Sequence, residues 1–185
     1  MDVIYYVASS LDGYIATRDG EVNWLNPYQI AGEDYGYAAF LDSVDGLILG
    51  SRTYEQVLDF GVEWPYPGKP TWVMSRRSLE TPFEGVQVTS QSPSHLMAEL
   101  EQRGHRRLWL VGGTAIVDAF RNANLITEYQ IAIMPTLLGR GFALFSAAKS
   151  AKPLHLIHSI SYPNGVVQLH YATQLASKTN PSAIR

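Results

Sequence analysis

The sequence predicts an α/β fold with a mainly parallel central sheet, an antiparallel C-terminal hairpin and helices on both faces. Three observations carry this. Short β-branched and aromatic runs alternate with segments of helical spacing, and several runs end in Gly or Ser just before a helical segment. The last two runs are joined at Pro163-Asn164-Gly165, which reads as a hairpin turn. At 185 residues and 46% hydrophobic, the chain suits one compact domain, expected over residues 1–175, with a flexible tail at 176–185.

Val3-Ile4-Tyr5-Tyr6-Val7-Ala8 is a continuous apolar run and reads as a buried strand that Asp12-Gly13 breaks. Residues 17 to 33 are rich in Gly, Asn, Asp and Pro and read as a long irregular segment of functional length. Asp34 to Ser43 reads as a helix, with Tyr37, Phe40, Leu41 and Val44 at helical spacing and the Asp34 carboxylate near its N-terminus. Leu47-Ile48-Leu49 is a buried strand ending at Gly50, and Thr53 is placed to cap a helix through about Phe60. After Pro65, Pro67 and Pro70, Thr71 to Ser75 reads as a core strand and Val86 to Thr89 as a weaker one. Ser92-Pro93 opens a helix carrying Leu96, Met97 and Leu100 on one face. Leu108 to Val111 is a strong strand, and Gly112-Gly113 leads into a helix through about Asn122. Ile126–Met134, Leu154–Ile160 and Val166–Thr173 are the closing strands.

Composition excludes several chemistries. A net charge of −3 argues against nucleic acid and anionic membranes as partners. No apolar run is long enough to span a bilayer, and Met1-Asp2 leads straight into a strand rather than a signal peptide, so a cytoplasmic protein is expected. With no cysteine there is no disulfide, thiolate nucleophile or Cys-ligated metal, and no metal site is expected. His155 and His158, three apart in an alternating strand, should point to opposite faces. Arg103 to Arg107 reads as a solvated helix end, Trp64, Trp72 and Trp109 as core, and Ser51 lacks the elbow of a serine hydrolase.

In α/β sheets of this kind ligands bind beyond the carboxyl ends of the strands, and three such ends carry phosphate-competent residues. Gly112-Gly113 before a helix, followed by Thr114-Ala115, lets backbone approach a pyrophosphate at a helix N-terminus, although a tight turn explains the glycine pair equally well. Gly50-Ser51-Arg52-Thr53 and Ser75-Arg76-Arg77 add hydroxyls and guanidinium forks suited to a 2′-phosphate, with a solvated turn as the plain alternative for Arg76-Arg77. No GxGxxG fingerprint follows a strand and no GxxxxGK[ST] occurs, so a dinucleotide would bind outside the Rossmann and P-loop modes.

The stretches Ala8-Ser9-Ser10-Leu11-Asp12-Gly13-Tyr14-Ile15-Ala16, Leu49-Gly50-Ser51-Arg52-Thr53-Tyr54-Glu55, Val73-Met74-Ser75-Arg76 and Leu110-Val111-Gly112-Gly113 resemble, in order and spacing, the dihydrofolate reductase superfamily. They look most like its branch named for the C-terminal reductase domain of the bifunctional riboflavin-biosynthesis deaminase-reductase. Pro135-Thr136-Leu137-Leu138-Gly139-Arg140-Gly141 with Leu144-Phe145 is similar to that branch's late signature. The resemblance implies a three-layer dihydrofolate-reductase-like fold, a homodimer, and NADPH laid across the strand ends. Ala8, Gly13, Tyr14 and Ile15 would then flank the nicotinamide. Gly50, Ser51, Arg52 and Thr53 would hold the adenosine side and pyrophosphate. Ser75, Arg76 and Arg77 would meet the 2′-phosphate, and Gly112, Gly113, Thr114 and Ala115 the diphosphate.

For the substrate, a small heterocycle, the resemblance implies Asp34 as the carboxylate that favours its protonation before hydride arrives, with Ser10, Trp24 and Tyr54 around it. A helix-start role explains Asp34 as well, and Glu33 is an alternative carboxylate. Two substrates compete: the ribosylamino-pyrimidine of riboflavin synthesis, favoured by the overall resemblance, and a pterin, favoured by Asp34 and the Gly50-Ser51-Arg52-Thr53-Tyr54-Glu55 element. The riboflavin branch usually carries a lysine where this chain has Tyr6, and a Gly-Thr…Asp-Asp-Pro element where it has Gly50-Ser51-Arg52-Thr53-Tyr54-Glu55. A non-catalytic NADPH-binding module is the reading from another class.

Overall fold

The first apolar run forms strand β1 (Asp2–Ser10) at the middle of an eight-stranded sheet. In the computed structural model, which describes residues 1–59, 61, 63–146 and 151–174, the elements follow the expected alternation. After β1 come β2 (Tyr14–Ala16), a 3-10 helix over Asn23–Tyr28, α1 (Tyr37–Ser43), β3 (Gly46–Gly50) and α2 (Ser51–Asp59). Then follow β4 (Thr71–Met74), β5 (Val86–Thr89), α3 (Pro93–Gln102), β6 (Arg107–Gly112) and α4 (Thr114–Asn122). The chain closes with β7 (Glu128–Met134), β8 (Phe142–Ala143), β9 (His155–Ser161) and β10 (Val167–Ala172).

The sheet order is β5-β4-β3-β6-β1-β7-β10-β9, parallel through β7 and antiparallel at β10 and β9. Long crossovers build the parallel part, carrying a helix everywhere except between β4 and β5, because only a long connection returns the chain to the same end of the sheet. One face packs Tyr5, Ile48 and Leu110 against Leu96 and Leu100 of α3 and Val117 and Phe120 of α4. The opposite face packs Ile4, Leu47, Leu49 and Trp109 against Phe40 of α1 and Tyr54 of α2. Ser92 caps α3 as its sequence predicts, its hydroxyl accepting from His95 N.

Several boundaries differ from the sequence reading. Helix α1 begins at Tyr37 rather than Asp34, because Tyr35 (φ 56°) and Gly36 (φ 77°) take the left-handed conformation and break the helical path. Helix α2 starts at Ser51, so Thr53 lies inside it and is not its cap; the expected end at Phe60 lies outside the described residues, as does the tail from 176. β7 starts at Glu128, two residues later than expected, while Ile126 is core. Arg103 closes α3, but Arg107 opens β6. The small sheet of β2 and β8 and the 3-10 helix were not legible in runs this short.

The edge strand brings another correction. Its register with β10 shifts between His170 and Tyr171, pairing His170 with His158 but Tyr171 with Leu156 and Ala172 with His155. The extra residue restores His155 and His158 to one face, where strict alternation would have separated them.

Candidate active site

Parallel strands end on one rim, and β4, β3 and β6 lie side by side there. An added Cβ at Gly50 would stand 3.5 Å from the Gly112 carbonyl oxygen and 3.6 Å from the Gly113 nitrogen, and one at Gly113 would stand 3.4 Å from Thr53 Oγ1. The N-termini of α2 and α4 therefore open together over bare backbone, an arrangement that suits an extended diphosphate. Gly112 adopts φ 128°, where side chains are strained, and the Gly112–Gly113 peptide is cis. Arg52 and Arg76 are exposed at this rim, Ser51 and Thr53 are half-buried in the first turn of α2, and Ala115 is exposed in that of α4. Thr114 donates its hydroxyl to the Ala143 carbonyl at 2.6 Å, fixing β8 against α4.

Two expected members of the clamp are engaged within the protein. Arg77 Nη2 donates to both oxygens of Glu55 at 2.9 and 3.0 Å. The Ser75 hydroxyl accepts from Arg77 N at 3.0 Å and donates to the Arg77 carbonyl at 2.9 Å, closing a local turn. Arg52 and Arg76 are the guanidiniums left facing solvent.

The Ser10-to-Gly13 turn is a latch. Ser10, 2% exposed, donates to Asp12 Oδ1 at 2.6 Å and accepts from Tyr14 N at 2.9 Å. Asp12 in turn accepts from the Leu138 and Gly139 amides at 3.1 and 2.6 Å, pinning the late Leu138-Gly139 loop to the first turn. The Ser10 hydroxyl, then the two amides, hold the Asp12 carboxyl below its ordinary value. A Ser10 so committed is structural, which corrects its assignment as a substrate ligand. Gly13 closes the turn at φ 83° and accepts from Leu144 N at 2.8 Å, while Tyr14 and Ile15 lie half-buried in β2.

Asp34 is exposed, its oxygens accepting from Gly36 N at 2.8 Å and Ala38 N at 2.9 Å. The Ala38 amide, then that of Gly36, holds its carboxyl below the usual range. A carboxyl held that way donates a proton poorly near neutral pH, so the geometry shows the helix-start role. Glu33 is likewise engaged, accepting from Tyr35 N at 2.7 Å. Tyr54 is fully buried and donates to the Glu80 carbonyl at 2.9 Å, which makes it core rather than a substrate contact. Trp24 sits half-buried in the 3-10 helix, with a buried indole nitrogen that lacks a partner among the described residues.

What the sequence did not reveal is a cavity over the second half of the sheet. Tyr6 and Ala8 share a face of β1; Gln130 and Ala132 stand beside them on β7, His170 and Gln168 on β10, and His158 and Ile160 on β9. Two cross-strand rows result, Tyr6-Gln130-His170-His158 and Ala8-Ala132-Gln168-Ile160. All but Ala8 floor a cavity of about 190 Å³ walled by Tyr35, Gly36 and Tyr162. Gln168 holds the walls by accepting from Tyr162 Oη at 2.9 Å and donating to the Tyr35 carbonyl at 2.6 Å. Tyr6 stacks on Phe40 at 4.1 Å and meets Trp109 edge-on at 6.0 Å. Burial first, then Asp34, pushes its phenol up to about 12, so it stays a protonated donor.

Glu128 lies at the start of β7 beside this floor. Arg107 donates to its two oxygens at 3.0 and 3.2 Å, and His170 Nε2 meets Oε2 at 3.0 Å. Burial alone would raise its pKa, but His170 and Arg107 outweigh that and lower it to about 2. The signal in the sequence was the polar alternation Glu128, Gln130 and Gln168, His170 inside otherwise apolar strands. A second hollow is lined by Thr17, Arg18, Asp19, Leu138 and Arg140. Among the described residues no group of three or more His, Cys, Asp or Glu is placed to hold a metal ion, and no helix is long and apolar enough to cross a membrane.

The sheet order, the glycine rim and the adjoining cavity define a reductase-type domain with a dihydrofolate-reductase-like fold. Over residues 2–168 the chain matches the RibD C-terminal domain, and it belongs to that family. The Bacillus subtilis (strain 168) protein YwjB, itself uncharacterized, is 33% identical over 168 residues, covering 91% of this chain and 95% of that protein. A Shewanella sp. PV-4 protein assigned provisionally to riboflavin biosynthesis is 32% identical, with a TM-score of 0.86 over 93% of this chain and 98% of that one. The Thermotoga maritima diaminohydroxyphosphoribosylaminopyrimidine deaminase/5-amino-6-(5-phosphoribosylamino)uracil reductase shares the fold, with a TM-score of 0.71 at 14% identity, over 92% of this chain and 56% of that one.

Proposed function

We propose that this protein is a cytoplasmic NADPH-dependent oxidoreductase that reduces a C=N or C=O bond of a small heterocycle or ribosyl-heterocycle. One observation carries the reading: Ala8 follows Tyr6 on the same face of β1, beyond the cavity floor and toward the rim where α2 and α4 open over glycine backbone. A heterocycle on that floor would lie against a nicotinamide over Ala8. The bare backbone at Gly50, Gly112 and Gly113 fits a diphosphate, since side chains there would fill the space it needs. Thr53, Thr114 and Ala115 would flank that group, Arg52 the adenosine side, and Arg76 the 2′-phosphate. Gly13, Tyr14 and Ile15 would cover the nicotinamide.

When bound, NADPH supplies the hydride. The chain orients the acceptor ring against the packed Tyr35–Tyr162 pair, excludes water with the Tyr6, Phe40 and Trp109 cluster, and presents the Tyr6 hydroxyl as a donor. Kinship favours the reaction named for the Thermotoga maritima relative, reduction of a ribosylamino-pyrimidine. The pterin reading rested on Asp34, whose oxygens are taken by backbone amides, and on Gly50-Ser51-Arg52-Thr53-Tyr54-Glu55, which keeps it as the second candidate.

A homodimer is proposed with it. β9 is the sheet edge and exposes Leu156 (53%), Ile157 (46%) and Ile160 (42%) beside an unpaired strand backbone, surface that a second copy would cover. Sedimentation equilibrium reads the mass.

The enzyme reading is tested by loss of NADPH absorbance with 5-amino-6-(ribosylamino)uracil, its 5′-phosphate and a dihydropterin. Turnover of one of them is expected. NADPH-induced thermal stabilisation without turnover of any would leave a binding module, and no stabilisation at all would remove the cofactor.

A further inference from the structure

Resting on that reading, we infer that the cavity beside Tyr6 takes an uncharged planar nitrogen heterocycle without a phosphate group, held by the Tyr6 hydroxyl and the Gln130 amide. The kinship supplies a reaction type; the lining of this chain's own cavity supplies the substrate class. Among the described residues, no Lys or Arg lines the cavity. Its polar side chains are the phenols of Tyr6, Tyr35 and Tyr162, the amides of Gln130 and Gln168, and the imidazoles of His158 and His170.

The charges around it are carboxylates. Asp34 acts electrostatically on Tyr6, and Glu33 and Asp34 act on Tyr162, so both lie within reach of the cavity walls. Glu128 stands behind His170, and the guanidinium of Arg107 is gripped by Glu128 rather than directed to the floor. A phosphate placed here would lose its hydration with no Lys or Arg to replace it, His170 Nε2 being already engaged by Glu128, next to three carboxylates. Strand β9 at the cavity's open side, His155–Ser161, contains no Lys or Arg.

The same lining suits a neutral ring. Aromatic faces of Tyr6, Tyr35 and Tyr162 surround it. The Tyr6 hydroxyl and the Gln130 carbonyl oxygen make no hydrogen bond to other described residues, and they sit side by side on neighbouring strands. A donor next to an acceptor is the complement of a lactam edge, which offers one C=O and one N–H.

The test is calorimetric titration of the full chain with 5-amino-6-(ribosylamino)uracil and with its 5′-phosphate, alongside a separate titration with NADP+. The phosphate-free compound should bind about tenfold tighter or more, a single charge-assisted hydrogen bond being worth about that factor to a site built for phosphate. Tyr6→Phe, which keeps the ring packed on Phe40, should weaken the phosphate-free compound about tenfold. Gln130→Lys should narrow or reverse the preference. Equal or tighter binding of the phosphate overturns the inference, and its loss in Arg18→Ala or Arg140→Ala would move the phosphate to the second hollow. Binding of neither compound overturns it too. Failure to bind NADP+ removes the cofactor reading alone, because the ratio of the two compounds is measured without it.

Discussion

The glycine rim and the tyrosine cavity adjoin on one sheet, yet they are built from different materials. At the rim the working surface is backbone: Gly50, Gly112 and Gly113 bring main-chain atoms and two helix N-termini together, with Arg52 and Arg76 above them. The cavity is made of side chains from β1, β7, β9 and β10 and from the loop before α1. Backbone geometry is fixed by the fold and suits a ligand part that never changes, such as a diphosphate. Side chains on the cavity face of these strands change without altering the backbone path, so a shared cofactor site can stand beside a private substrate site.

That contrast can be broken most directly at Gly112. Gly112→Val puts a branched side chain at φ 128° beside the diphosphate path, and NADPH affinity should fall about a hundredfold while the phosphate-free probe binds as before. A parallel loss of both ligands would show one site, not two. Arg76→Ala should weaken NADPH about tenfold and leave NADH unchanged, by fluorescence titration; equal loss for both cofactors would strike Arg76 from the 2′-phosphate.

Smaller effects sharpen the cavity side. Glu128 has a folded pKa of about 2, below its ordinary value, so it stabilises the fold above about pH 4.5 and that contribution is lost as pH falls toward 2. With solvent screening the loss should be about 1 kcal/mol in urea melts, and Glu128→Gln should lack this acid-dependent component; an unchanged slope against pH removes the pairing with Arg107 and His170. Smallest of all, Asp34→Asn should alter turnover less than about twofold, since the carboxyl serves the helix start. A drop of a hundredfold would return Asp34 to the chemistry.

The rim was legible in the sequence because its parts are contiguous. Gly-Gly before a helical segment and Gly-Ser-Arg-Thr after a strand each announce a local backbone shape, and the alternation of elements lines them up. The same locality misled at Arg77 and Ser75, where Glu55 and a local turn engage groups that looked free for phosphate. Tyr54 was misread because its burial depends on the loop carrying Glu80, remote in sequence. Nothing local predicts the cavity: Tyr6, Gln130, His170 and His158 become neighbours only through strand order and register, and a one-residue bulge puts His155 on the same face as His158.

That bulge has a consequence for solubility. An uninterrupted apolar edge invites another strand, and then another, so that sheets grow without limit. In β9 the register breaks at Ile157, bending the edge and leaving only the segment from His158 to Ser161 straight. A strand arriving there can align over one short stretch before the curvature carries the two chains apart. Two-fold pairing closes on itself and uses the edge up, so a sheet that exposes isoleucine and leucine on its margin can stop at one addition instead of polymerising.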